Sequence, residues 1–150
     1  MNTNAFSHID ASGEARMVDV GGKPTVPRHA TAVGSLHCDA ATLDLLKRQA
    51  LPKGDVLAVA RVAGIQAAKR TSDLIPMCHQ LPLESVSIEF LVHETRIDIH
   101  ASVKTTARTG VEMEALTAVS VAALTLYDMM KAVDKSMRIE GIEVSAKTKG

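Results

Sequence analysis

The sequence has no tryptophan, two phenylalanines and one tyrosine in 150 residues. A sheet that stacks RNA bases needs aromatic platforms, so this scarcity argues against nucleic-acid recognition. It also dictates an aliphatic, alanine-rich core in which helices pack closely. The two cysteines, Cys38 and Cys78, suit neither a disulfide framework nor a zinc site, and they point to a cytoplasmic setting. Net charge is lacking too, because 17 basic residues balance 17 acidic ones and no global field draws the chain to nucleic acid or a membrane. Any anionic ligand must be held by a local cluster. The opening residues, MNTNAFSHIDASGEARM, contain no signal-peptide core, and no apolar run reads as a membrane span. Walker loop, dinucleotide fingerprint, zinc motif and nucleophile elbow are all absent. No repeat, low-complexity tract or long linker divides the chain, so one domain over 1–150 is expected.

What is present is organised around Thr109 to Lys135, TGVEMEALTAVSVAALTLYDMMKAVDK. This stretch predicts one long helix, capped by Thr109 with Glu112 in a capping box and closed by Lys131 and Lys135. At ~100° per residue, Ala115, Ala118, Val119, Ala122, Leu126 and Val133 share a sheet-facing stripe. Glu114, Thr117, Asp128, Lys131 and Lys135 share the opposite arc, with Val121, Leu124 and Ala132 among them. An arc that mixes charge and aliphatic residues calls for a second cover, from this chain or another subunit.

Around this helix the pattern reads as follows. Residues 1–15 are expected to be mobile and Arg16–Val20 extended, with a turn-rich link to Pro27. Thr31–His37 is a strand; Asp39 caps a helix running to Gln49, and Asp55 caps a second one ending at Lys69 and Arg70. Gly64 among alanines implies a close helix neighbour. Thr71–Pro82 (TSDLIPMCHQLP) is irregular and apolar. Ser85–Val92 and Arg96–Lys104 alternate as a hairpin. Ile139–Lys147 closes the chain, with Ile142, Val144 and Ala146 facing in and Lys147 out. The order predicts an α+β ferredoxin-like sandwich, a four-stranded, mostly antiparallel sheet with helices on one face.

Candidate chemistry concentrates in a few places. Asp128 and Lys131 are one helical turn apart; on a solvated face they are a weak ion pair, but on a covered face they become a proton-transfer pair. Glu112 and Glu114 flank Met113 where negative charge suits the helix start. Glu114 and Asp128 stand roughly 21 Å apart along the axis, so either the ligand is long or two subunits contribute opposite ends to one site. Cys78 and His79 share the proline-bracketed loop, where the alternative is a buried thiol beside a satisfied histidine. Lys53, Lys69, Arg70, Lys104, Arg108, Lys131, Lys147 and Lys149 gather near element ends, a placement suited to polyphosphate and equally consistent with solvation.

Two long motifs, GIQAAKRTSDLIPMCHQLPL (64–83) and the helix segment 109–135, together with MVDV (17–20) and KGD (53–55), closely resemble the MoaC family, the cyclic pyranopterin monophosphate synthases of molybdenum cofactor biosynthesis. The likeness runs from about Gly13 to Lys147. It implies a ferredoxin-like subunit in a hexamer of three dimers with active sites at the dimer interface. It also implies a lyase that converts 3',8-cyclo-7,8-dihydro-GTP to cyclic pyranopterin monophosphate and releases pyrophosphate. By position, Met77, Cys78 and His79 resemble a substrate-binding loop; Met113 and Glu114, next to Glu112, resemble a second binding patch. Asp128, Lys53 and Lys131 match catalytic residues, and Lys147 matches a further site lysine. No metal motif accompanies them; magnesium stays open, and no other cofactor is expected. The contrasting expectation is a non-catalytic oligomeric sensor, since the fold alone does not decide function.

Overall fold

A computed structural model describes residues 6–150. Strand β1 (Val26–His37) buries Ala30, Ala32, Gly34 and Leu36 on every second position, the period of a sheet with one covered face. It is longer than expected because the pattern continues toward the turn, through Ala30. Helices α1 (Ala40–Lys47) and α2 (Val56–Lys69) follow. Asp55 caps α2 by accepting from the Ala58 N–H at 3.2 Å, as expected. Asp39 holds the cap position of α1, but its side chain makes no cap bond.

The segment 71–82 is not wholly irregular: Thr71–Leu74 makes a single helical turn, α3, fastened by the Thr71 hydroxyl on the Ala67 and Ala68 carbonyls. Strands β2 (Leu83–Val92) and β3 (Arg96–Ala107) form the hairpin. Helix α4 (Glu112–Met130) and strand β4 (Arg138–Lys149) complete the chain. The sheet order is β2-β3-β1-β4 with every adjacent pair antiparallel, which is the ferredoxin-like α+β sandwich.

Helix α4 is shorter than the sequence predicts. Thr109 does not cap it. The cap position is Val111, without a side-chain bond, and the Glu112 carboxylate folds back so tightly over Gly110 that a Cβ there would clash with it. At the other end Val133 and Asp134 both donate to the Met130 carbonyl and turn the chain away, so Lys135 lies beyond the helix and Val133 is 40% exposed. By length and apolar composition α4 could cross a membrane, which the sequence reading did not anticipate. Here it is the core helix, with Ala115, Ala118, Val119, Ala122 and Leu126 inaccessible to solvent.

Over most of its length the helix is covered on two sides by elements of the same chain. The sheet takes the Val119 side, where a Cβ on Gly34 would stand 2.8 Å from Val119 Cγ1; α2 takes the Ala118 side. A Cβ on Gly64 would lie 2.2 Å from Ile88 Cδ1 and 3.0 Å from the Ala118 carbonyl, so glycine is what lets the helices meet.

The last strand corrects another expectation. Thr31 pairs with Ala146 but Ala32 pairs with Val144, so Ser145 is an extra residue and the alternation inverts beyond it. Ala146 therefore points outward, and Lys147, opposite the buried Ala30, points to the helix side. Arg16–Val20 forms no strand. Of the segment expected to be mobile, residues 1–5 lie outside the described residues, whereas Ile9 bridges to Ala15 around an Asp10 carboxylate that accepts from Ser12 and Glu14.

Candidate active site

The expected site residues fall into two groups at opposite ends of α4. The first surrounds Asp128 in its last turn. Lys131, the C-cap, reaches back with Nζ 3.0 Å from Asp128 Oδ1, and Lys53, in the turn before α2, places its Nζ 3.2 Å from both Oδ2 and the Asp128 carbonyl. Hydrogen bonds from Lys131 and then Lys53 hold the Asp128 carboxyl below its ordinary range, so it is ionised at neutral pH. The expectation of a sheltered pair is not met within one chain: the side chains of Asp128 and Lys131 are 57% and 54% exposed. The reason is local. Among the described residues no element packs over this part of the polar arc, and neighbouring Leu124 is 58% exposed as well.

The second group lies at the helix start. Met77, Cys78, His79, Glu112, Met113 and Glu114 line a cleft of about 290 Å³. Here the arc is covered, and Glu114 and Thr117 are buried at 5% and 8%. Among the described residues Glu114 Oε2 has no hydrogen-bond partner. Burial pushes the Glu114 carboxyl up to about 7, partly opposed by its own backbone N–H and reinforced by the charge of Glu112. A carboxyl so poised can both give and take a proton near neutrality.

Burial, then the proximity of Glu114, raises the Cys78 thiol, which disfavours it as a nucleophile. His79 does not pair with Cys78; its Nε2 meets the Val18 carbonyl and pins the N-terminal segment against the loop. Lys147 Nζ approaches Glu112 Oε1 at 4.0 Å, a contact that exists only because of the Ser145 bulge. The cations Lys104 and Lys149 do not join either group: Lys104 lies on the outer face opposite His29, and Lys149 pairs with Arg28.

Sequence reasoning missed the cleft's other wall. His8, Val18, Val20 and Lys23 line it from the N-terminal segment. The MVDV motif was the available signal, but its residues carry no chemistry that spacing alone could assign. Among the described residues no group of three or more His, Cys, Asp or Glu is placed to hold a metal ion.

The MoaC family model matches residues 17–150. The chain is 58% identical to the cyclic pyranopterin monophosphate synthase of Chloroflexus aggregans over 147 residues, covering 97% of this chain and 89% of that one. Identity to the Peptoclostridium acidaminophilum protein of the same name is 55% over 145 residues, covering 97% and 92%. Cyclic pyranopterin monophosphate synthase 2 of Mycobacterium bovis is 58% identical over 145 residues, covering 97% and 87%.

Proposed function

Because the chain belongs to the MoaC family, we propose that it is a cyclic pyranopterin monophosphate synthase, a lyase acting early in molybdenum cofactor biosynthesis. Its substrate is 3',8-cyclo-7,8-dihydro-GTP and its products are cyclic pyranopterin monophosphate and pyrophosphate. The observation that carries this reading at the level of residues is the carboxylate of Asp128 held between two amines, Lys53 and Lys131.

The chemistry requires two things of the protein. Rebuilding a purine skeleton as a pterin moves several protons, and Glu114, poised near 7, is suited to exchange them. Closing the cyclic phosphate means that a hydroxyl of the substrate attacks the α-phosphorus while the bond to pyrophosphate breaks. That step gains from fixed cations around the phosphates. Lys53 and Lys131 supply them at one end of α4 and Lys147 at the other, where His79 lines the cleft. Asp128 orients the two amines and is a candidate base, not an acid, because its carboxyl is held ionised.

The two groups lie roughly 21 Å apart along one helix, too far for one compact substrate. We therefore place the site between two copies of the chain, one supplying the Asp128 end and the other the Glu114 end, in the hexamer of three dimers that the family resemblance implies. Exposed Val59 and Val62 on α2 and Leu124 on α4 support this, since a second subunit would cover them and shelter Asp128.

The direct test incubates the purified protein with the cyclised GTP derivative and follows pyrophosphate and the oxidised, fluorescent pterin, with GTP as control. Turnover of the cyclised compound alone is expected; none would refute the assignment. Mixing an Asp128→Asn variant with a Glu114→Gln variant tests the shared site. Regained turnover is expected, and two variants that stay inactive after subunit exchange would place both groups in one chain's site.

A further inference from the structure

Asp134 is 2% exposed, and the reaction described above gives it no task. Its Oδ2 accepts from the Asp39 N–H at 2.9 Å and the Thr42 hydroxyl at 2.8 Å; its Oδ1 accepts from the Ser136 N–H at 2.8 Å and the Ser136 hydroxyl at 2.7 Å. Four donors satisfy the carboxylate completely. Burial acts to raise its pKa, but these hydrogen bonds outweigh burial and hold the group ionised. Asp39 leaves the start of α1 without a side-chain cap, and this distant carboxylate stands there instead.

The placement matters because of what precedes it. Lys131 donates its N–H to the Tyr127 carbonyl at 2.9 Å, Val133 and Asp134 donate theirs to Met130, and the Lys135 amine closes on the Lys131 carbonyl at 2.7 Å. The backbone of Lys131 is thus fixed by α4 on one side and, three residues on, by a buried anchor. Its side chain, more than half exposed, has little packing of its own to hold it.

We propose that Asp134 is a positioning residue for the reaction: by fastening turn 131–134 to the start of α1, it keeps Lys131 Nζ within 3.0 Å of Asp128 Oδ1. The inference rests on the reading that Lys131 and Asp128 serve turnover. An asparagine at 134 cannot accept at both oxygens, so one donor pair loses its partner and the turn can shift.

The test uses the full chain, the cyclised GTP derivative and pyrophosphate release, with the wild type beside each variant. Asp134→Asn is expected to lower kcat by about 10- to 100-fold, as a misplacement near 1 Å does, with KM within about twofold. In a Lys131→Arg background, where the amine is already displaced, the same change is expected to add less than about twofold. A general loss of structure would instead multiply the two defects. Thr42→Val, which removes one donor and keeps the carboxylate, is expected to show a smaller loss of kcat alone, and it decides the matter if Asp134→Asn does not fold. Unchanged kcat in the folded Asp134→Asn variant, or its full loss repeated in the Lys131→Arg background, overturns the proposal. So does unchanged kcat in Thr42→Val when the asparagine variant is unfolded. A wild type that does not turn over the substrate instead refutes the underlying functional reading.

Discussion

Lys53 donates to both the carboxylate and the backbone carbonyl of Asp128 at 3.2 Å, across 75 residues of chain. This fastens the turn before α2 to the last turn of α4. It also leaves Asp128 between two amines whose backbones belong to different elements, so the spacing of the three charges is set by how α2 packs on α4.

Asp128→Asn is expected to lower turnover by about 10²- to 10⁴-fold, the usual contribution of a group that handles protons. The Asp128 backbone carbonyl still accepts from Lys53 and an amide oxygen can replace the carboxylate as acceptor, so the melting temperature should change little. Pyrophosphate release and thermal unfolding measured on one preparation separate the two effects. Wild-type turnover in the folded variant would remove Asp128 from the chemistry.

Stability should decline as pH rises, through Glu114. Its folded pKa, about 7, lies above the ordinary 4.5, so the native state holds the extra proton between these values. The folded state is therefore favoured below about pH 4.5 and loses that advantage as pH rises to 7, by up to about 3 kcal/mol. Glu114→Gln is expected to flatten this slope and to be the more stable protein at pH 8. Denaturant titrations at pH 5 and pH 8 give the comparison, and equal slopes in both proteins would contradict it.

Gly64→Ala should destabilise the fold by about 1–3 kcal/mol, because the new Cβ meets the Ile88 side chain and, less forgivingly, the Ala118 carbonyl. Lys53 and Asp128 would move apart with the helices, so KM or kcat should suffer even where the variant is folded. Urea unfolding with kinetics on the folded fraction checks both parts.

Cys78 should alkylate slowly with iodoacetamide at pH 7, since burial and Glu114 disfavour its thiolate. Glu114→Gln should speed the reaction by removing the neighbouring charge. Rapid modification of the wild type, followed by mass spectrometry, would show the thiol to be activated instead.

Much of this protein was legible in the sequence. The alternation in Thr31–His37 and Arg96–Lys104, the alanines of α2 and α4 and the glycine at 64 determine the order of elements and the close helix pair, because side-chain period and size are local properties. The motifs around His79 and Asp128 are as explicit. Tertiary structure alone decided which of these groups meet. A period assigns a face only while the register is unbroken, so the extra residue at Ser145 sends Lys147 to Glu112, against the plain alternation. A helix pattern shows which residues share an arc, but not which segment comes to cover them. Glu114, on the cleft that Met77, Cys78, His79 and Leu81 also line, is buried and its pKa lifted by that burial, while Asp128 on the same arc stays open and ionised. Burial and electrostatics act through neighbours distant in the chain, and the sequence order does not contain those distances.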